Sequence, residues 1–480
     1  MHKIKFSNTL KNLSSSFVLM ILSVCLLIIT PQNPLHPYYW GDSAIYEYVA
    51  KMMLKGQILY QDVFDHKSPL VYWLHMLGYS IYPMYGNWFL KVILMFLTLL
   101  TAFHITKQQL PAPLALGLIA LIFFTTPIFC TLDNSEALGL LPVFSIMSFT
   151  SKYINNQKIN RSDFFITGLM CAVLSLLKFI YLAVPCVLLL YVLVDALTRK
   201  SVKTIKSIFI YCATGFLLPI LLTILWFYHQ NALHDLFEAT IIFNSQYTKH
   251  YQTNGNSSFF KILTFFITNP ASILALISMF ICFIRRSIFN TNEQKLITLL
   301  SVTFIFNLLI ITFPLNAHAN YIFILYPIIL GLITFALKSI PQKPIKYTIV
   351  LCGILFYSYN FYTAAYKQNL NYEYLSNAYK QIAEQINQSV AKEDSFAVIS
   401  RRIPNELLYL YMDHPAAIKY PVTFSVIKVA PEKIKQETTS KKLKWIVTDN
   451  IHAYKDFIDI SRYALLYKNN YVKLYKNKMP

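Results

Sequence analysis

Long apolar segments separated by short polar ones fill most of the first 366 residues. A helix of about 20 apolar residues crosses the roughly 30 Å hydrocarbon core of a bilayer. The pattern predicts eleven such spans, at about 17–29, 87–106, 112–130, 137–151, 163–177, 179–197, 205–227, 260–284, 296–313, 321–338 and 345–366. Because helices satisfy their own backbone groups in lipid, residues 1–366 are predicted to form an all-α polytopic membrane domain.

One apolar segment, at 70–81, is too short to span and lies between Pro69 and Pro83. Its tyrosines and its tryptophan are typical of the membrane interface. We therefore expect a re-entrant or interfacial helix inside a first outer loop that covers residues 31–86. A second helix is predicted in the same loop at 43–55.

The last part of the chain, residues 367–480, has 29 charged residues and no spanning run. Apolar residues at helical spacing predict an amphipathic helix at 371–390, after a brief linker near Tyr366. Strands are expected at 396–399, 445–448, 463–467 and 471–475, with a helix at 404–412. These elements predict a small α/β domain outside the membrane.

Composition agrees with a membrane protein, since 56% of the 480 residues are hydrophobic and 13% are charged, against roughly 25% charged in soluble domains. The net charge is +20, but the basic residues lie in short clusters between apolar runs, which argues against a nucleic-acid partner. With 70–81 not spanning, 17 of the 24 Lys and Arg residues before residue 367 fall on one side. The positive-inside tendency predicts that this side and the N-terminus face the cytoplasm, with the C-terminal domain outside.

The seven cysteines all fall within or at the ends of apolar stretches. Free cysteines in apolar stretches usually behave as small buried hydrophobic residues. Neither a disulfide nor a Cys-x-x-Cys metal site is expected.

Acidic residues show the opposite bias, because eight of the eleven before residue 367 fall on the predicted outer side. They are Asp42, Glu47, Asp62, Asp65, Asp133, Glu136, Asp235 and Glu238. Acidic residues contribute little to membrane orientation, and charge beside apolar spans is costly and commonly functional. A shared extracytoplasmic site is therefore predicted, centred on the stretch 41–69.

Two strings in this stretch carry a family resemblance. They read Gly41-Asp42-x-x-x-Tyr46-x-x-x-Ala50 and Gly56-x-x-x-Tyr60-x-Asp62-x-x-Asp65-x-Lys67-x-Pro69. Together they resemble the first outer loop of bacterial membrane glycosyltransferases of the dolichyl-phosphate-mannose-protein mannosyltransferase and aminoarabinose-transferase superfamily, which has the GT-C fold. Weaker matches are Asp133-Asn134-Ser135-Glu136, Lys178, Asn244 with Tyr247, and His318-Ala319-Asn320-Tyr321. Ser68 and Ser43 depart from the pattern, since many members have a proline and an acidic residue at these positions.

The resemblance implies an enzyme that moves one sugar from a polyprenyl-phosphate to an acceptor on the outer face, with inversion at the anomeric carbon. Asp42 would be the base that takes the acceptor proton, and Lys67 and Lys178 would bind the donor phosphate. The residues expected to bind substrate are Tyr46, Tyr60, Asp62, Asp65, His66, Asp133, Glu136, His318 and Tyr321. The expected partners are a polyprenyl-phosphate-linked sugar, membrane lipids and a glycan, lipid or protein acceptor. No cofactor is expected to be required, although Asp62, Asp65 and His66 leave a divalent cation as an alternative.

Each candidate also has a structural interpretation. Asp42 would cap the helix that it opens, and Lys67 would extend from an apolar segment to the membrane surface. A lone lysine at membrane depth needs a partner, so the alternative to phosphate binding places Lys178 at the exposed end of a short hairpin. Asp133 and Glu136 would cap the helix that begins near Ser135. His318 and Tyr321 are also compatible with a polar loop and an aromatic belt.

Other functions remain open from the sequence. A lipid or polysaccharide transporter is one, but repeated halves and broken helices of the kind transporters have are not evident. Within enzymes, an O-antigen ligase or polymerase is the alternative. The segment 228–260, interpreted as a loop, has Lys249 as its basic residue, whereas such enzymes place function in a large loop rich in arginine. A structural subunit would leave the eight outer acidic residues unexplained.

Overall fold

The computed structural model of the protein describes every residue except 1, 29, 31, 36, 40, 126–133, 255–258, 268, 313–318, 392–393, 401–404, 413–414, 421–429, 441–442, 469–471 and 479–480. In chain order the helices are α1 (His2–Leu27), α2 (Gly41–Leu54), α3 (Pro69–Ile81), α4 (Gly86–Thr106), α5 (Ala112–Phe124), α6 (Ser135–Ile154), α7 (Arg161–Leu177), α8 (Phe179–Thr198), α9 (Val202–His229), α10 (233–254), α11 (Phe259–Ile267), α12 (Pro270–Ile284), α13 (Thr291–Thr312), α14 (Tyr321–Ser339), α15 (Lys343–Ser389), α16 (Asn405–Tyr411) and α17 (Pro431–Ser440). The strands are β1 (Phe396–Val398), β2 (Trp445–Thr448), β3 (Tyr463–Lys468) and β4 (Lys473–Asn477).

Six of the described helices are long and apolar enough to cross a membrane. They are α4, α6, α8, α9, α13 and α14. Shorter apolar helices occupy Ser14–Leu27, Ala112–Phe124 and Pro270–Ile284. These helices confirm a multi-pass α-helical membrane protein, whereas the predicted number of eleven spans is not confirmed.

Three predictions of local secondary structure are wrong. The span expected at 260–284 is two helices, because Pro270 starts α12 and the Asn269 side chain accepts a hydrogen bond of 2.9 Å from the Ala271 N–H. The linker expected near Tyr366 is helical, since α15 runs without a break for 47 residues. The segment interpreted as a loop at 228–260 is mostly helical, forming the end of α9 and the whole of α10.

The chain groups into two compact units. The first contains residues 1–35, 88–223 and 255–369, and the second contains 36–87, 224–254 and 370–480. This grouping joins the first outer loop and α10 to the C-terminal region, whereas the predicted domains were 1–366 and 367–480. The predicted boundary near residue 366 stays a prediction.

In the first unit, α14 lies at the centre, with 94% of its apolar segment buried by the protein. Close backbone packing holds neighbouring helices together. A Cβ atom on Gly168 of α7 would lie 1.9 Å from the carbonyl oxygen of Cys212 in α9, so only glycine permits this approach. Phe149, Phe164 and Val192 form a buried cluster between α6, α7 and α8.

In the second unit, the four strands form one sheet in the order β1-β2-β4-β3. Strands β1 and β2 are parallel, and the pairs β2–β4 and β3–β4 are antiparallel. The expected strand at 471–475 begins at Lys473 instead. The predicted small α/β domain is therefore confirmed, and α2 and α3 of the first outer loop belong to the same unit.

Candidate active site

Asp42 lies in the first turn of α2, directly after Gly41. Gly41 has φ +62°, a conformation that side chains other than glycine rarely adopt. The Asp42 carboxylate accepts a hydrogen bond of 3.2 Å from the Tyr46 hydroxyl, one helical turn further on. No capping bond from Asp42 to a backbone N–H is seen within the described part of α2. The capping interpretation is therefore not supported, and the carboxylate is half-buried with acceptor capacity left.

The loop between α2 and α3 is folded tightly around Tyr60. Tyr60 has φ +67°, which is strained for a tyrosine. Its hydroxyl donates a hydrogen bond of 2.6 Å to the carbonyl oxygen of Lys67. Its ring stacks on Phe227 with centroids 5.5 Å apart. Tyr60 therefore fixes the backbone at Lys67. Its strained backbone conformation belongs to the loop that holds this lysine.

Asp62 has a local role in the same loop. Its carboxylate accepts a hydrogen bond of 2.8 Å from the Ile58 N–H, and the residue is exposed. A carboxylate bonded to backbone a few residues away forms a turn. The geometry therefore favours a turn-forming function for Asp62 over the predicted substrate contact.

Asp65 is a buried carboxylate whose two oxygens are both engaged. Oδ1 lies 3.0 Å from His66 Nδ1, and Oδ2 accepts a hydrogen bond of 2.6 Å from the Tyr72 hydroxyl. The Tyr72 oxygen also accepts a hydrogen bond of 3.3 Å from the Lys67 N–H. Asp65 therefore organises its neighbours and is poorly placed to accept a proton from a substrate.

The charges in this loop affect one another. Burial alone would raise the pKa of Asp65, but nearby Lys67 and His66 favour the carboxylate more strongly, so the pKa is held below its usual value. Burial and the charge of Lys67 lower the pKa of His66, against the opposing effect of Asp65. Near neutral pH the loop therefore holds an ionised Asp65 and a neutral His66 beside Lys67.

Lys67 and Asp42 both approach Tyr46. The Lys67 Nζ atom lies 5.9 Å from the centroid of the Tyr46 ring, whose hydroxyl binds Asp42. The side chain of Lys67 is half-buried. A cation and a carboxylate with spare acceptor capacity thus flank one aromatic ring. This arrangement suits a ligand that carries both an anionic group and hydroxyls.

Helix α10 supports the loop from another side. The Asn244 side chain donates a hydrogen bond of 2.8 Å to the carbonyl oxygen of His66. The Tyr247 ring stacks on the His66 ring, with centroids 5.3 Å apart. The segment Asp65-His66-Lys67, called the loop triad below, is therefore held by its own loop and by α10.

The first unit has a second charged cluster, formed by Glu136, Lys178 and Tyr321. Lys178 Nζ lies 3.2 Å from Glu136 Oε1 and 3.9 Å from the centroid of the Tyr321 ring. Ser135 Oγ lies 3.0 Å from the Tyr181 hydroxyl and 3.3 Å from Glu136 Oε2. A partly buried lysine here has a carboxylate partner, which neither interpretation from the sequence identified.

The structure thus brings the sequence candidates into two groups. The second unit joins Asp42, Tyr46, Tyr60, Asp65, His66 and Lys67, and the first unit joins Glu136, Lys178 and Tyr321. Asp133 and His318 lie outside the described residues. No group of three or more His, Cys, Asp or Glu side chains within the described ranges is suited to hold a metal ion. The prediction that no cofactor is required stays a prediction.

Two tyrosines in these groups were missed. The sequence predicts an interfacial aromatic residue at Tyr72, whereas its hydroxyl donates a hydrogen bond to Asp65. Tyr181 was not singled out, yet its hydroxyl contacts Ser135. Tyr72 lies in the first turn of α3, seven residues after Asp65, and this nearness in sequence was the available signal. Nothing in the local sequence indicates the contact of Tyr181.

The helices, the small sheet and the polar loop define a multi-pass membrane protein with the GT-C fold, as the resemblance predicted. The solved structure of ArnT from Cupriavidus metallidurans bound to undecaprenyl phosphate is similar over 98% of each chain, with 14% identity and a TM-score of 0.65. The apo structure of the same ArnT matches over 98% of each chain, with 13% identity and a TM-score of 0.62. At this identity the likeness shows the fold. Neither a protein-family model nor a curated protein sequence matches the chain.

Proposed function

We propose that the protein is a membrane glycosyltransferase that moves a single sugar from a polyprenyl-phosphate donor to an acceptor, with inversion. The fold shared with ArnT, one of whose structures holds undecaprenyl phosphate, supports a polyprenyl-phosphate donor. The donor is amphipathic, with an isoprenoid chain for an apolar environment and a phosphate for a cation. The described part of the chain has apolar helices that suit the isoprenoid chain, and partly buried lysines such as Lys67 that suit the phosphate.

One observation carries the assignment of the base. Among the residues that the structure describes, Asp42 has one hydroxyl partner and is half-buried, whereas both oxygens of Asp65 are already engaged. A general base needs a free oxygen within hydrogen-bond reach of the hydroxyl that it deprotonates. Asp42 meets this condition better than Asp65, so we assign the base to Asp42.

The proposed step breaks one bond and forms another. The acceptor hydroxyl oxygen attacks the anomeric carbon as the bond from that carbon to the phosphate oxygen breaks. The acceptor proton passes to Asp42, and polyprenyl phosphate leaves with the bonding electrons. Lys67 stabilises the negative charge that grows on the departing phosphate. Attack opposite to the leaving group inverts the anomeric carbon.

The remaining residues have supporting functions in this proposal. Tyr46 orients Asp42 through its hydroxyl, and Tyr60 and Asp65 hold the backbone and the charge balance around Lys67. His66 presents a neutral ring beside the proposed phosphate ligand. The assignment of donor phosphate binding to Lys178 stays a prediction, and within the first unit its ammonium group lies beside Glu136 and the ring of Tyr321.

We propose that the first outer loop and the C-terminal domain face the outside of a bacterial inner membrane, with the N-terminus in the cytoplasm. In a variant whose seven native cysteines are replaced, a membrane-impermeant thiol reagent added from outside is expected to label Asp62→Cys and not Lys200→Cys. Both positions are exposed in the structure, so accessibility by itself does not separate them. Labelling in the reverse pattern would contradict the orientation.

Mass analysis of lipid-linked sugars with and without the gene tests the proposed function. Loss of the protein is expected to cause accumulation of one polyprenyl-phosphate sugar and loss of one sugar from a surface glycan, lipid or protein. The accumulated species identifies the donor, and the altered surface molecule identifies the acceptor. An unchanged lipid-linked pool and unchanged surface glycans would reject the transferase proposal.

A further inference from the structure

Lys419, in the C-terminal region, contacts the first outer loop through its backbone. Its carbonyl oxygen accepts a hydrogen bond of 2.8 Å from the N–H of Phe64, the residue just before the loop triad. The Phe64 ring packs against Tyr420 on the same side, with centroids 5.0 Å apart. The backbone that enters the loop triad is therefore bound to a segment more than three hundred residues further along the chain.

The side chain of Lys419 contacts α10 at the same time. Its Nζ atom lies 2.7 Å from Asp235 Oδ1, and the side chains of Lys419 and Asp235 are only 17% and 18% exposed. A second ion pair joins Lys433 to Glu238, one turn further along α10. Partly buried pairs are less screened by solvent than fully exposed ones. Two lysines of the C-terminal region thus fix the start of α10.

Helix α10 in turn holds the loop triad through Asn244 and Tyr247, both of which contact His66. Lys419 therefore acts on the triad by two routes. One is the direct backbone bond to Phe64, and the other runs through Asp235 and α10. One route ends at Phe64 and the other at His66, the two neighbours of Asp65 in the chain. Asp65 interacts with Lys67, to which we assign donor phosphate binding.

We propose that Lys419 is a positioning residue for the loop triad, and that its ion pair with Asp235 makes donor phosphate binding depend on the C-terminal region. The ligand in this proposal, the phosphate of a polyprenyl-phosphate, rests on the proposed function. Lys419 does not touch the donor in this proposal. It sets the position of Lys67 by holding the backbone on one side of the triad and α10 on the other.

The test uses the full-length protein in detergent or nanodiscs, with undecaprenyl phosphate as the probe. Lys419→Met removes the ammonium group but keeps the aliphatic stem and the backbone carbonyl. Lys435→Met is the matched control, because Lys435 is an exposed lysine of the same region that forms no ion pair with another described residue. The exchanged pair Lys419→Glu with Asp235→Lys restores an ion pair of opposite direction.

We expect Lys419→Met to weaken binding of undecaprenyl phosphate by about tenfold, because a displaced Lys67 would lose part of a charged hydrogen bond whose full loss costs about 10- to 100-fold. Hydrogen exchange in the segment 60–70 is expected to accelerate without ligand, while exchange in α13 and α14 is unchanged. Lys435→Met is expected to match the parent protein, and the exchanged pair to recover most of the affinity.

A general structural function predicts a different result. Lys419→Met would then lower the melting temperature and accelerate exchange throughout the second unit, without a specific effect on 60–70. That result, or unchanged exchange at 60–70, would overturn the proposal. Failure of the parent protein to bind undecaprenyl phosphate would reject the proposed donor instead, and the exchange measurement without ligand would still decide the positioning function of Lys419.

Discussion

Replacing Asp42 by asparagine is expected to lower sugar transfer by about 10²- to 10⁴-fold, the range that a positioned general base contributes. The amide keeps the shape of the side chain and still accepts the hydrogen bond from Tyr46, but it cannot take the acceptor proton. Donor binding is expected to change little, because Asp42 contacts the acceptor in the proposed step. Turnover of a polyprenyl-phosphate sugar by purified protein measures this effect.

The neighbouring carboxylate at Asp62 provides a matched control. Asp62→Asn makes the same chemical change in the same loop, and its amide oxygen can still accept the hydrogen bond from Ile58. We expect this variant to keep nearly full activity. If Asp42→Asn retained parental turnover, Asp42 would be removed from the mechanism. If both variants lost activity equally, the effect would reflect loop stability and not the base.

The local parts of this site could be predicted from the sequence. Helix α2, the short α3 and the loop between them follow from glycine and proline positions and from polar residues that interrupt apolar segments. The position of Asp42 in the first turn of α2 is a consequence of that local pattern. The resemblance then indicated the chemistry of these residues, and the fold agrees with it.

The contacts between distant segments could not be predicted in the same way. Glu136 and Lys178 are 42 residues apart, and no rule of helical spacing relates them. The ion pair of Asp235 with Lys419 spans 184 residues. Such pairs arise from tertiary packing, so the sequence shows a charged residue without its partner. From the sequence, Lys178 is compatible with phosphate binding or with exposure, whereas the structure shows a carboxylate beside it.

Helix α10 lies in a segment that the sequence predicts to be a loop. Its sequence is rich in β-branched and polar residues such as Thr240, Ile241, Ile242, Asn244 and Ser245, which are weak helix formers. Helices in proteins are stabilised largely by packing. Helix α10 is stabilised by its ion pairs with Lys419 and Lys433. It is also stabilised by the packing of Phe243 against Phe64. Because these contacts come from distant segments, the local sequence of α10 does not predict a helix.

Replacing Lys67 by alanine is expected to weaken donor binding by about 10- to 100-fold, because a hydrogen bond to a charged group contributes about 1.5–3 kcal/mol. The change also removes the cation that holds the pKa of Asp65 down, so the buried carboxylate loses part of its stabilisation. Both effects act on the loop triad and not on the acceptor. Titration with undecaprenyl phosphate measures the affinity directly.

Two further variants separate charge from structure at this position. Lys67→Arg keeps a cation near Tyr46 and is expected to retain most of the affinity, although the guanidinium geometry differs. Lys55→Ala removes an exposed lysine near the end of α2 and is expected to leave binding unchanged. Parental affinity in Lys67→Ala, or equal losses in Lys67→Ala and Lys55→Ala, would contradict phosphate binding by Lys67. An equal loss in both variants would instead indicate a diffuse attraction of the donor by net positive charge.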